Sequence, residues 1–165
     1  MVLTVYYDPV SSPCKSVLAF LQLNKIPHEK KIVSVVAQDT KSPSYKQLNP
    51  LGLVPAIDDN GVIVREHEAI IKYLIATRKE SKIYLPDDFD IQFIINQFYP
   101  FFYTGLRPHT VDYFLGALGL NPTFNKEASR KQIEETVKAF DEVFLGDKKY
   151  ITGDKMTIAD TTAGN

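Results

Sequence analysis

The hydrophobic pattern of this chain changes period near residue 85, and this change limits the folds that the chain can adopt. Before that point, apolar runs of strand length alternate with runs of helical period, whereas after it only helical patterns remain. Alternating strands and helices are typical of a layered α/β domain. The sequence therefore predicts an α/β domain over residues 1–80, a linker over 81–88 and a partial all-α domain over 89–165.

The α/β domain opens with a strand, a helix and a second strand. Residues 3–7 form a short apolar run, residues 13–23 show a helical period, and a second strand is expected over 29–36. Proline suits the first helical position because its missing N–H would have no partner there, and Ser11 or Ser12 supplies a hydroxyl of the capping type. The two strands are expected to be parallel because such crossovers join parallel strands.

A short helix, a hairpin and a further helix complete this domain. The hairpin turn is expected at 59–61, because Asn-Gly between alternating apolar runs is a strong turn signal, and a helix is expected over 66–78. The order βαβ, α, ββα predicts a mixed four-stranded sheet covered by helices, which is a thioredoxin-like layout. In the second domain, helices are expected over 89–116 and 125–145.

Composition excludes several classes of function. A formal net charge of -1 gives no electrostatic preference for nucleic acid, and no apolar run has the ~20 residues of a membrane span. The single cysteine, Cys14, excludes an internal disulfide and a cysteine zinc site, which fits a reducing compartment. His28 and His109 are isolated, so no metal site is expected. We predict a cytoplasmic protein that binds neither nucleic acid nor membrane.

Three segments in order resemble the glutathione-site motifs of cytosolic glutathione S-transferases of the serine type. They are YYDPVSSPCK at 6–15, LNPLGLVPA at 48–56 and REHEAIIKYL at 65–74. The segment YITGDKMTIAD at 150–160 is similar to the insect delta, epsilon and theta-like classes, in which it opens a core helix. The resemblance spans nearly the whole chain and implies glutathione as co-substrate, with no metal.

The resemblance assigns Ser11 as the catalytic residue that hydrogen-bonds the glutathione sulfur. A thiol of pKa about 8.5 must reach a pKa of roughly 6.5 to ionise usefully at pH 7, which is worth ~3 kcal/mol. A hydrogen bond to a charged acceptor contributes roughly 1.5–3 kcal/mol and a helix N-terminus about 0.3–1 kcal/mol, so Ser11 and its helix are sufficient. From the residues alone, Ser11 can equally be a plain helix cap, and Cys14 is interpreted as structural.

The resemblance also assigns the residues that bind glutathione. A cis peptide bond at Val54-Pro55 is expected to leave the Val54 backbone free to pair with the cysteinyl unit. Glu66 is expected to receive the γ-glutamyl ammonium. The glutathione-binding residues implied are Leu53, Val54, Pro55, Glu66 and His67.

The chain departs from the family pattern at several of these places. His67 stands where serine is usual, Glu68 stands where delta-like members often have arginine, and Gly52 and Leu53 stand where relatives place histidine or lysine. Thr40 replaces another histidine. If each lost contact cost ~1 kcal/mol, glutathione binding would weaken on the order of a hundredfold.

A second pocket is expected to hold a small apolar electrophile and to draw residues from both domains. Tyr103, Arg107 and Thr110 are spaced by three or four residues, as on one helical stripe, and Pro100 or Pro108 is expected to kink or divide the helix. The pocket residues predicted are Pro9, Val10, Pro13, Tyr103, Arg107 and Thr110.

The sequence favours a glutathione transferase of the detoxification type, acting as a homodimer. Two alternatives stay open: a non-catalytic binding or interaction module of the same fold, and a thiol oxidoreductase or peroxidase working through Cys14 or bound glutathione. Residues 157–160 fit a capping box, so a helix is expected to begin close to the end of the sequence. By comparison with the family, the sequence is interpreted as C-terminally truncated, and its helices are expected to be unstable alone or to associate with another chain.

Overall fold

A computed structural model describes residues 2–78 and 85–164. The chain divides into two compact units, one containing residues 1–85 with 161–165 and the other containing residues 86–160. Positions 81–84 of the predicted linker lie outside the described residues. No described helix has both the length and the apolar character needed to cross a membrane.

The first unit is built on a mixed four-stranded sheet. Its strands are β1 (Leu3–Tyr7), β2 (His28–Ile32), β3 (Ala56–Asp59) and β4 (Val62–Arg65), in the order β2-β1-β3-β4. The β1–β2 pair is parallel and the other two pairs are antiparallel. This arrangement confirms the predicted thioredoxin-like sheet.

Three helices accompany the sheet: α1 (Ser12–Leu23), α2 (Pro43–Leu48) and α3 (His67–Thr77). Helices α1 and α3 contact each other, and α3 also contacts β3 and β4. On β1 and β3, the directly paired Val5 and Ile57 are fully buried, since alternate strand residues share one face. The helices supply the rest of this core, which includes Cys14, Val17, Phe20, Leu21, Ile70, Ile71 and Leu74.

The β3–β4 hairpin turns at Asn60 and Gly61, which have φ values of +57° and +90°. Two left-handed residues in a two-residue loop match the right-handed twist of the flanking strands. The hairpin predicted from Asn-Gly is therefore confirmed.

The predicted second strand is wrong beyond Ile32, where β2 ends. The N–H of Val33 still donates to the Tyr7 carbonyl at 2.9 Å, but the next amides turn to side chains. Ser34 donates to the Asp39 carboxylate at 3.0 Å, and Val35 donates to the Asp8 carboxylate at 2.7 Å. These carboxylates take the place of a neighbouring strand, so the chain leaves the sheet early.

The second unit is helical. Its helices are α4 (Phe89–Phe101), α5 (Arg107–Ala117), α6 (Lys126–Phe140) and the start of α7 (Ile158–Ala163), and π-helical segments at Phe102–Leu106 and Asp141–Leu145 continue α4 and α6. The first π segment begins two residues after Pro100, in the region where a kink or division was predicted. The core is aromatic: the Phe98 ring lies 5.7 Å from the rings of both Phe102 and Phe144, between centroids.

Candidate functional site

Ser11 lies in the loop between β1 and α1, at the N-cap position of α1. Its N–H donates to the Asp8 carbonyl and its carbonyl accepts the N–H of Lys15, both at 3.1 Å. The Ser11 hydroxyl makes no capping hydrogen bond, although the backbone is extended there, with φ −77° and ψ 116°. The hydroxyl is half-buried at the start of a twelve-residue helix, where the backbone dipole favours negative charge.

The loop that carries Ser11 is organised by the buried side chain of Asp8. One carboxylate oxygen accepts the N–H of Val10 at 2.9 Å, and the other accepts the N–H of Val35 at 2.7 Å. Sequence reasoning treated Asp8 only as the residue that breaks the first strand. Its role depends on Val35, 27 positions away, so no local pattern signals it.

Cys14 is fully buried in the first turn of α1. Burial raises the pKa of its thiol, and hydrogen bonding from the Ser11 side chain and the Asp8 N–H offsets this only in part. The thiol therefore stays protonated at neutral pH, which agrees with the structural interpretation of this residue.

Val54-Pro55 is a cis peptide bond, as expected from the motif. Within the described residues, neither the N–H nor the C=O of Val54 has a hydrogen-bond partner. The preceding carbonyl, of Leu53, accepts bonds from the Tyr45 hydroxyl at 2.6 Å and the Asn49 amide at 2.7 Å. Tyr45 and Asn49, which sequence reasoning missed, thus hold this segment so that Val54 presents its backbone.

Glu66 and His67 lie where β4 passes into α3. Glu66 is exposed and has a φ of +66°, and its carbonyl accepts the first helical bond from Ile70 at 2.8 Å. Its side chain caps nothing in α3. The side chain of His67 is 2% exposed, and this burial counts against the direct contact with a ligand that was predicted for it. Glu68 pairs with Lys72 one turn later, which reduces its repulsion of an anion.

Gly52 is suited to its place by its backbone. It has a φ of +64°, and a Cβ added there would lie 3.0 Å from the carbonyl oxygen of Thr40. Only glycine adopts this conformation easily, so a cationic side chain at residue 52 would require a shift of the loop. Thr40 itself is buried.

The residues predicted for the electrophile pocket fall into both units. Pro9 and Val10 are exposed and Pro13 is half-buried, all near the start of α1. In the second unit, the Tyr103 ring stacks on Tyr99 at 6.3 Å, and the Thr110 hydroxyl donates to the Arg107 carbonyl at 2.9 Å. The buried Nε of Arg107 has no hydrogen-bond partner among the described residues. Tyr103 lies in the π segment and Arg107 begins α5, so the predicted stripe crosses a change of helical period.

Comparison with known proteins identifies relatives of this chain. Residues 5–82 match the family model described as glutathione S-transferase, N-terminal domain. Human glutathione S-transferase theta-1 is 30% identical over 172 residues, which cover 99% of this chain and 71% of that protein. A structure of human glutathione transferase theta-2 in complex with glutathione has a TM-score of 0.89 at 26% identity, covering 98% of this chain and 69% of that one. A delta-class glutathione transferase of Nilaparvata lugens has a TM-score of 0.85 at 26% identity, with 98% and 75% covered.

Proposed function

The chain belongs to the glutathione S-transferase family, and we propose that it conjugates the thiolate of glutathione to small hydrophobic electrophiles, in a reaction of the detoxification type. The observation that carries this proposal is the Ser11 hydroxyl at the N-terminus of α1, because it is not used to cap the helix. In this proposal Ser11 donates a hydrogen bond to the glutathione sulfur and thereby stabilises its ionised form.

The free energy needed for this activation matches what the two groups supply. Lowering the thiol pKa from about 8.5 to roughly 6.5 requires ~3 kcal/mol. A hydroxyl donating to a charged acceptor contributes about 1.5–3 kcal/mol, and the N-terminus of α1 adds about 0.3–1 kcal/mol. No further cation is required for the thiolate to predominate at neutral pH.

The binding site that we propose uses the backbone of Val54 and the carboxylate of Glu66. The unpaired N–H and C=O of Val54 suit antiparallel pairing with the cysteinyl unit of glutathione. Glu66 is exposed and has no ion pair among the described residues, so its carboxylate is available to the γ-glutamyl ammonium. Because His67 is buried, we expect the backbone of the first turn of α3 to meet the γ-glutamyl carboxylate.

We propose that the protein acts as a cytoplasmic homodimer. On α4, the stacked rings of Phe89 and Phe93 lie 6.3 Å apart and are 77% and 55% exposed. An exposed aromatic pair favours association because its contact with water is unfavourable. Sedimentation of the Phe89→Glu/Phe93→Glu variant is expected to give a lower mass than the wild type, and an unchanged dimer would exclude this surface as the interface.

The test of the catalytic proposal is calorimetric titration of glutathione at pH 7 in two buffers of different ionisation enthalpy. Proton release close to one per site is expected for the wild type and for Ser12→Ala, and little release for Ser11→Ala. With an aryl halide as electrophile, Ser11→Ala is expected to lower kcat by about a hundredfold, which corresponds to the ~3 kcal/mol above. Ser12 is the matched control because it is the neighbouring serine at the start of the same helix.

Two outcomes would contradict the proposal. Glutathione binding without proton release would favour the non-catalytic binding module. Full activity of Ser11→Ala with loss of activity in Cys14→Ser would favour thiol redox chemistry, which the burial of Cys14 argues against.

A further inference from the structure

Asp8 joins the loop that carries Ser11 to the segment that follows β2. The carboxylate accepts the N–H of Val10 at 2.9 Å and the N–H of Val35 at 2.7 Å, one on each oxygen. Its backbone carbonyl accepts the N–H of Ser11 at 3.1 Å, and its N–H faces the Cys14 sulfur at 3.4 Å. Four contacts through one buried residue fix the path of the chain into α1.

The donors to this carboxylate are neutral. Among the described residues, Asp8 has no lysine, arginine or histidine at ion-pair distance. A buried carboxylate without a cation is unfavourable unless hydrogen bonds replace its water. The two amide bonds do so, and they require an acceptor on both oxygens. Asparagine has the same shape but would point its NH₂ group at one of the two N–H donors.

We propose that Asp8 is a positioning residue for thiol activation: by accepting the amides of Val10 and Val35, it holds the Ser11 hydroxyl where the glutathione sulfur binds. This inference rests on the proposed function, because it gives Asp8 a role only through Ser11. Asp8 itself does not touch the substrate. The same carboxylate also fixes the segment after β2, which continues to Thr40.

Positioning and electrostatics predict opposite signs for the glutathione thiol. A buried negative charge near a thiol raises the thiol pKa, as the charge of Asp8 does for Cys14. If Asp8 acted mainly through its charge, Asp8→Asn would lower the pKa of bound glutathione. If Asp8 holds Ser11 in place, Asp8→Asn weakens the hydrogen bond to the sulfur and raises that pKa.

The experiment measures kcat against pH with saturating glutathione for the wild type, Asp8→Asn, Ser11→Ala and the double variant. Asp8→Asn is expected to lower kcat at pH 7 by about ten- to a hundredfold and to move the profile to higher pH. On the Ser11→Ala background the same substitution is expected to change kcat less than about threefold, because its effect passes through Ser11. Equal effects on both backgrounds, or a profile moved to lower pH, would overturn the proposal.

Asp59→Asn is the matched structural control. Asp59 is the other buried aspartate of this sheet, and its carboxylate accepts bonds from Tyr73 and Arg78, both at 2.9 Å. We expect Asp59→Asn to lower the Tm without moving the pH profile of kcat. An equal shift of the profile in both variants would show that loss of a buried aspartate acts through general destabilisation, which also overturns the proposal.

A second variant keeps the test decisive if Asp8→Asn does not fold. Asp8→Glu keeps the charge and both acceptors but displaces them by one methylene, so a smaller fall in kcat with the same direction of pH shift is expected. Wild-type kcat and profile in Asp8→Glu would refute positioning. Full activity of Ser11→Ala would instead refute the proposed role of Ser11, whatever the result at Asp8.

Discussion

Removing the carboxylate of Asp160 is expected to destabilise the start of α7 strongly. One oxygen of Asp160 accepts the N–H of Ile151 at 2.8 Å, and the other accepts the N–H of Thr157 at 2.7 Å and the Thr157 hydroxyl at 3.1 Å. The carboxylate therefore closes the capping box predicted at 157–160 and also ties the preceding turn to it.

The size of the effect follows from the two amides. Ile151 and Thr157 are each 1% exposed, so no water replaces the lost acceptor. An unsatisfied buried donor costs about 1–3 kcal/mol, and loss of a helix cap typically costs about 1 kcal/mol. We therefore expect Asp160→Ala to cost about 3 kcal/mol or more, out of a total stability of about 5–15 kcal/mol. Asp160→Asn keeps one acceptor and should lie between this variant and the wild type.

Amide hydrogen exchange at Ile151 and Thr157 measures this effect locally. A loss of about 3 kcal/mol accelerates exchange by roughly a hundredfold where exchange requires local opening. Asp154→Ala is the control, because Asp154 is exposed in the same loop and makes no hydrogen bond or ion pair within the described part of the chain. Exchange in Asp160→Ala within threefold of that control would refute the reasoning.

Three further predictions concern single positions. Burial raises the pKa of Cys14 above its ordinary value of 9.0, so the folded thiol stays protonated where the unfolded one ionises. The free energy of unfolding should therefore fall as the pH rises through 9.0, and urea unfolding of Cys14→Ser should lack this dependence. A Cβ at Gly116 would lie 2.1 Å from the Phe124 ring, so Gly116→Ala should lower the Tm, although removing a helical glycine ordinarily stabilises by about 1 kcal/mol; a higher Tm would contradict this packing. Leu53 is 55% exposed, so Leu53→Lys should lower the Kd of glutathione about fivefold, whereas Val62→Lys on β4 should leave it unchanged.

Local patterns predicted the elements of the fold that depend on a few adjacent residues. The turn at Asn60 and Gly61 follows from two left-handed positions, and the cap of Asp160 on Thr157 follows from a spacing of three. The early end of β2 was not predictable, because Val35 bonds to Asp8 instead of continuing the sheet. The π segments also escaped, because one extra residue in a helical turn hardly changes the apolar period.

The glutathione site was predictable in its backbone and less so in its side chains. The motif indicated the cis bond before Pro55, and the structure has it. The burial of His67 was not visible, since a histidine at the start of a helix is as easily exposed as buried. Asp8 was missed as a positioning residue because its second contact is distant in sequence.

The departures from the family pattern lie in segments different from the one that carries Ser11. The Glu68 charge is paired with Lys72, and residue 52 has a backbone conformation that favours glycine, so each departure is accommodated locally. These positions are assigned to the two ends of glutathione, whereas Ser11 and Asp8 are assigned to its sulfur. We therefore expect a high KM for glutathione, by up to about a hundredfold over a site with its cations, together with a pH profile of kcat that still shows an activated thiol. An ordinary KM with a profile near the free thiol pKa of about 8.5 would reverse this assignment, because the defect would then lie in activation and not in binding.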